Sequence, residues 1–115
     1  MRHHNQNRKL SRERNQRKAL LRTLAVSLVN RGKIQTTQAK AKELRPFAER
    51  LVSHAKKNTL ASRRTLIAYV GKNPTHKLVS DIAVRYKDRR GGYTRIVRMP
   101  NRKRDASPMA HIEFV

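Results

Sequence analysis

Residues 89–98 read Arg89-Arg90-Gly91-Gly92-Tyr93-Thr94-Arg95-Ile96-Val97-Arg98, which places four guanidinium groups, an aromatic ring and two adjacent glycines in ten positions. A guanidinium is a planar fork of N–H donors that matches the oxygens of a phosphate, so this is polyanion chemistry. Glycine has no Cβ, and the backbone at Gly91 and Gly92 can therefore take positive φ and approach another backbone closely. Tyr93 has two uses: stacking on an unpaired base, or closing the protein core. The glycines also fit a plain structural reading, a helix C-cap followed by a strand. Both readings stand open at this point.

The rest of the chain is as basic as this segment. Its 115 residues suit one domain, 1–115, with a modest core. Lys and Arg number 29 against seven Asp and Glu, a formal net charge of +22. Like charges at that density repel one another and oppose the compact state, so a polyanionic partner is expected to neutralise them. Nucleic acid leads; an anionic membrane comes second. Hydrophobic residues make up 37%, and the four glycines do not lift the total to the usual share of about 45–50%. A small core with basic extensions that order on binding is the expectation. There is no cysteine, which excludes disulfides and thiolate metal sites and fits a reducing compartment. No apolar run approaches the roughly 20 residues that span a bilayer, and the basic N-terminus lacks the apolar stretch of a secretory signal. A soluble cytoplasmic protein is expected.

The elements that must position these cations follow from periodicity. Residues 1–10, with Arg2, His3, His4, Arg8 and Lys9, read as an extended basic arm. Ser11 is a candidate N-cap, with Glu13 in the first turn where the helix dipole favours an anion. Leu21, Leu24, Ala25, Leu28 and Val29 then recur at helical spacing up to Gly32, a candidate C′ residue. Arg12, Arg14, Arg17, Lys18 and Arg22 load the first half of this helix, too many cations against one acid for an ordinary solvated face. Lys33-Ile34-Gln35-Thr36 alternates like a short strand. Thr37 caps a second helix with the stripe Leu44, Phe47, Ala48, Leu51, Val52 and Ala55, where Pro46 predicts a kink or a late start. Leu60, Ile67 and Val70 mark a third helix that stops at Gly71, and Asn73-Pro74 opens a fourth carrying Leu78, Val79, Ile82, Ala83 and Tyr86. Tyr69 and Tyr86 are assigned to the core. Residues 93–99 and 109–114 read as strands paired in a hairpin, with Ala110, Ile112 and Phe114 on one face. The loop 100–108 between them, bounded by Pro100 and Pro108, carries Arg102, Lys103 and Arg104. The expected fold is α+β: about four helices on a small mixed sheet of about three short strands, with a basic N-terminal arm.

Enzymatic chemistry has little to work with. His3, His4, His54, His76 and His111 show no ligand spacing with acids, so no metal site and no cofactor are expected. The acids are scattered without an acid/base pair, and Gly91-Gly92 alone is no phosphate-loop fingerprint.

Several segments carry a resemblance. Met1-Arg2-His3, Arg8-Lys9-Leu10, Thr36-Thr37, Ala39-Lys40-Ala41-Lys42-Glu43-Leu44-Arg45, Arg63-Arg64, Arg90-Gly91-Gly92-Tyr93-Thr94-Arg95-Ile96 and Pro108-Met109-Ala110 resemble, in order and over nearly the whole chain, the bacterial large-subunit ribosomal protein seventeen family. The stretch between Gly71 and Lys77 departs from the family's pattern. The resemblance implies helices packed on a small sheet and binding to large-subunit (23S) rRNA, beside neighbouring proteins near the polypeptide exit side. It implies rRNA contact for the arm, the first helix and the glycine-pair segment, with Lys40, Lys42 and Arg45 joining that surface. The expected activity is structural: basic surfaces clamp rRNA segments, reading shape and 2′-hydroxyls more than base edges, because the A-form major groove is too narrow to enter. A nucleoid-type DNA-binding protein is the alternative, though no helix-turn-helix spacing supports it. A membrane-active cationic polypeptide would need bulky apolar anchors, and the chain has no Trp and two Phe.

Overall fold

Ile34 and Thr36 are buried while Lys33 and Gln35 are exposed, so the alternation at 33–36 is that of a half-buried strand. In the computed structural model, which describes residues 10 and 12–115, this is β1 (Lys33–Thr37). Before it runs α1 (Arg14–Arg31), and after it come α2 (Gln38–Lys57) and α3 (Leu60–Val70). A fourth helical segment, α4, spans 72–85: α-helical over Lys72–Lys77, π-helical over Leu78–Ile82 and α-helical again over Ala83–Arg85. The strands β2 (Thr94–Met99) and β3 (Met109–Phe114) complete the chain. Most of the basic arm, with Arg2, His3, Arg8 and Lys9, and the candidate cap Ser11 lie outside the described residues.

The sheet order is β1-β3-β2, and both pairings are antiparallel. The expected hairpin between β2 and β3 is present, with Ile96 opposite Ile112. The sheet is therefore antiparallel throughout, not mixed. The physical reason is connectivity: β3 returns between two strands that both run opposite to it, and no crossover places like-directed strands side by side.

Local signals at helix ends were mostly legible. Gly32 takes φ 79° and its N–H donates to the Leu28 carbonyl, the left-handed stop that a Cβ would disfavour. The Thr37 hydroxyl accepts from the Lys40 N–H at 3.3 Å and so satisfies one orphan donor of α2. The start of α1 differs: its N-cap is Glu13, whose side chain makes no capping bond. The helix α2 runs unbroken through Pro46, so the late start is not observed. The start of α4 is at Lys72 with Gly71 as its N-cap, ahead of the Asn73-Pro74 pair. No sequence signal marks the π turn.

The core is built from Ala25, Leu28 and Val29 of α1, Leu44, Ala48, Leu51 and Val52 of α2, Leu78 and Ile82 of α4, and Ala110 and Ile112 of β3. The face of α3 departs from expectation. Leu66 and Val70 are buried with Ser62, whereas Leu60 is 66% exposed and Ile67 39%. Val70 fits both spacings, and a polar Ser62 on the inner face hides the true one. Its burial is satisfied locally, since the Ser62 hydroxyl accepts from the Thr59 hydroxyl at 2.9 Å. Tyr86 is buried as expected, but Tyr69 is 42% exposed and lies outside the core.

Candidate nucleic-acid interface

Residues of α1 and α2, with Tyr69 of α3, line a groove whose walls are cationic. Arg17, Lys18 and Arg22 project from α1, and Arg50 and His54, one turn apart, project from α2. Phe47 and Tyr69 also line the groove, in edge-to-face contact with centroids 5.8 Å apart and an interplanar angle of 79°. The space measures about 490 Å³. Glu43 is the only acid among the described lining residues. A concavity with four permanent cations and one carboxylate focuses positive potential, because its low-dielectric walls exclude screening water.

A second hollow lies on the other flank of α2. Lys42, Arg45 and Pro46 face Ile96 and Arg98 of β2 across it. Its neighbour is lined by Thr37, Gln38, Ala39 and Lys42 with Ser107 and Pro108 from the loop 100–108. Pro46 lines both the α1–α2 groove and the α2–β2 hollow, and Lys42 lines both hollows near the loop. One ridge along α2, through Lys42, Arg45, Pro46 and Arg50, thus joins what the sequence shows as separate basic stretches. Lys42, Arg45 and Arg98, distant in sequence, come together; Arg17, Lys18 and Arg22 join them through Arg50.

The start of β2 is organised differently. Glu49 of α2 accepts from the backbone N–H of Tyr93 at 3.0 Å and of Thr94 at 3.4 Å. The Lys56 ammonium donates to the Tyr93 hydroxyl at 3.0 Å and to the Arg89 carbonyl, and lies 5.1 Å from the centre of the Tyr93 ring. Tyr93 is 3% exposed and packs on Tyr86 with centroids 5.4 Å apart. Its ring closes the core and has no face free for a base, which settles the two readings of Tyr93. Gly92 takes φ 64°, but Gly91 does not have positive φ, and a Cβ there would meet nothing within 4 Å. Within the protein the glycine pair forms the turn into β2.

Several expected site residues are engaged within the protein. Arg95 donates to Glu113 on β3 at 2.9 and 3.1 Å, a pair set by the β2–β3 register. That hydrogen bond, with the charge of Arg95, holds the Glu113 carboxyl below its ordinary value. Arg102 grips Asp105 through both ends of its fork, at 2.9 and 3.0 Å, and the Asp105 carboxyl is pushed down to about 2, first by that bond and then by the Ser107 N–H. The Arg89 Nε donates to the Gly91 carbonyl at 3.2 Å. Arg12 turns back on the Leu10 carbonyl at 2.7 Å. Arg14, Arg90, Lys103 and Arg104 are exposed, Lys40 is half-buried, and Arg63 and Arg64 sit half-buried and exposed on α3. None of these lines the α1–α2 groove or either hollow.

Sequence reasoning missed Arg50, His54 and Tyr69. The signal for Arg50 was present, since it follows Pro46 by one helical turn on the face that Lys42 begins. Among the described residues, no three His, Asp or Glu converge on a metal position, and no helix is long and apolar enough to cross a membrane.

Comparison with known proteins adds an independent line. The family profile described as Ribosomal protein L17 matches residues 20–115. Over its whole length the chain is 50% identical to the large ribosomal subunit protein bL17 of Campylobacter jejuni, covering 99% of that protein. It is 49% identical to the protein of the same name from Wolinella succinogenes, with both chains covered completely. The Rickettsia bellii bL17 is 51% identical over the full chain, which spans 82% of that relative.

Proposed function

The chain belongs to the ribosomal protein L17 family, and from that premise we propose that it is a non-catalytic constituent of the large ribosomal subunit that binds 23S-type rRNA. In this reading it helps the subunit assemble and stay compact, in the cytoplasm, beside neighbouring proteins near the polypeptide exit side. The observation that carries the rRNA interface is the cationic strip along α2. It runs from Arg98 and Arg45 past Pro46 to Arg50, Arg22 and Arg17, with Glu43 as its only described acid. Phosphates on this strip would displace condensed counterions, and if about 6–10 are neutralised the affinity falls roughly 10³–10⁵-fold between 50 and 200 mM salt. The basic arm, with Arg2, His3, Arg8 and Lys9, would extend the same contact.

The exposed Arg90, Lys103 and Arg104 would add peripheral phosphate contacts, and Arg63 and Arg64 a further patch on α3. The apolar stripes only hold these groups in register. Sucrose-gradient sedimentation of a lysate tests the reading: the protein should travel with the large-subunit peak and leave it only when the particle is dissociated. A large-subunit peak that lacks the protein contradicts it. Equal affinity for B-form DNA and structured RNA at matched salt would favour a DNA-binding protein instead.

A further inference from the structure

We propose that the groove between α1, α2 and α3 takes one unpaired nucleotide of the bound RNA, its base on Tyr69 and its phosphates on the flanking arginines. This rests on the reading that the partner is RNA.

The tyrosines supply the first observation. Tyr86 and Tyr93 are 4% and 3% exposed, and both hydroxyls are hydrogen-bonded inside the protein. Tyr69 is 42% exposed at the edge of a cationic groove. Phe47 meets it in an edge-to-face contact at 5.8 Å rather than lying stacked flat upon it. A half-open aromatic ring among arginines is the arrangement that captures bases, since every base has a π-face and every linkage a phosphate.

The dimensions and charge agree. A space of about 490 Å³ is within the usual range of roughly 300–1,000 Å³ for a small-ligand site. Arg17 and Arg22 on one wall and Arg50 on the other leave a phosphate reachable from either side. A paired A-form stem cannot fill the groove, because its bases are stacked inside the helix; a bulge, loop or end can. An acidic peptide would satisfy the cations but leave the aromatic ring without a planar partner.

The test uses the full chain and two RNA hairpins of identical stem, one fully paired and one with a single bulged nucleotide. The bulged hairpin is expected to bind roughly 5- to 100-fold more tightly, the range that one stacked base contributes. Tyr69→Ala should erase that ratio, while Tyr69→Phe, which keeps the ring, should preserve it. Circular dichroism of each variant reports on folding, and if the Ala variant fails to fold, Tyr69→Leu, which keeps apolar bulk but has no π-face, takes its place. Equal binding of the two hairpins by the native chain overturns the proposal while leaving RNA binding intact. So does a ratio that survives Tyr69→Ala, or polyglutamate competing as well as the bulged hairpin. Failure to bind either hairpin in dilute salt overturns the functional reading itself.

Discussion

The two flanks of α2 treat positive charge in opposite ways. Along the α1–α2 groove, Arg17, Lys18, Arg22 and Arg50 share the described lining with one carboxylate, Glu43. At the sheet and its loop, Arg95 is held by Glu113, Arg102 by Asp105, and the backbone entering β2 by Glu49. The chain has seven acids, and three of them do this structural work on the sheet side. A cation's presence in the sequence therefore says little about its availability. What separates an interface from a brace is where the few acids fall.

The contrast can be broken most forcefully at the groove. Changing Arg17, Arg22 and Arg50 together to Ala should weaken rRNA binding on the order of 10²–10³-fold, at about 1–1.5 kcal/mol per lost charge-assisted contact. Filter binding at fixed salt measures this, and a loss below tenfold would move the interface elsewhere. Next in size is Glu49→Ala, which strips an acceptor from the Tyr93 and Thr94 N–H groups. Leaving those donors without it should cost about 1–3 kcal/mol of folding stability, read by denaturant melting, with little change in groove affinity once folded.

Smaller effects sharpen the other side. Arg95→Ala with Arg102→Ala should lower rRNA affinity less than about fivefold, because these guanidinium groups already serve exposed ion pairs. A loss equal to that of the groove variant would erase the difference between the two flanks. The least effect concerns pH. The Asp105 carboxyl titrates at about 2 in the folded chain, below its unfolded value, so its stabilising contribution is complete at neutral pH. That contribution is lost as pH falls through the folded value. An NMR titration should find the side-chain resonance of Asp105 unmoved down to pH 4, and Arg102→Ala should restore an ordinary carboxylate midpoint.

Much of this was readable from residues alone, and the failures have definite causes. The strands, the capping by Thr37, the stop at Gly32 and the stripe of α2 follow from short-range rules, and each is present. The face of α3 was misjudged because Ser62 occupies an inner position and Leu60 an outer one, a reversal that tertiary packing allows and periodicity hides. The mixed sheet was an error of long-range pairing, since nothing local fixes the direction in which β3 meets β1. For the interface, sequence gathers Arg17, Lys18 and Arg22 because they share a helix. It does not place Arg98 beside Lys42 and Arg45, which meet only when β2 folds along α2. Nor does it separate Arg95 from Arg98, since the partner that engages Arg95 lies on β3.

Salt dependence offers the most direct test of where binding resides. The slope of log affinity for 23S rRNA against log salt should become shallower by about three when Arg17, Arg22 and Arg50 are replaced, roughly one phosphate contact for each cation. For the Arg95 and Arg102 double variant it should change by less than one. Equal slopes for the two variants, or a groove variant indistinguishable from the native chain, would contradict the account.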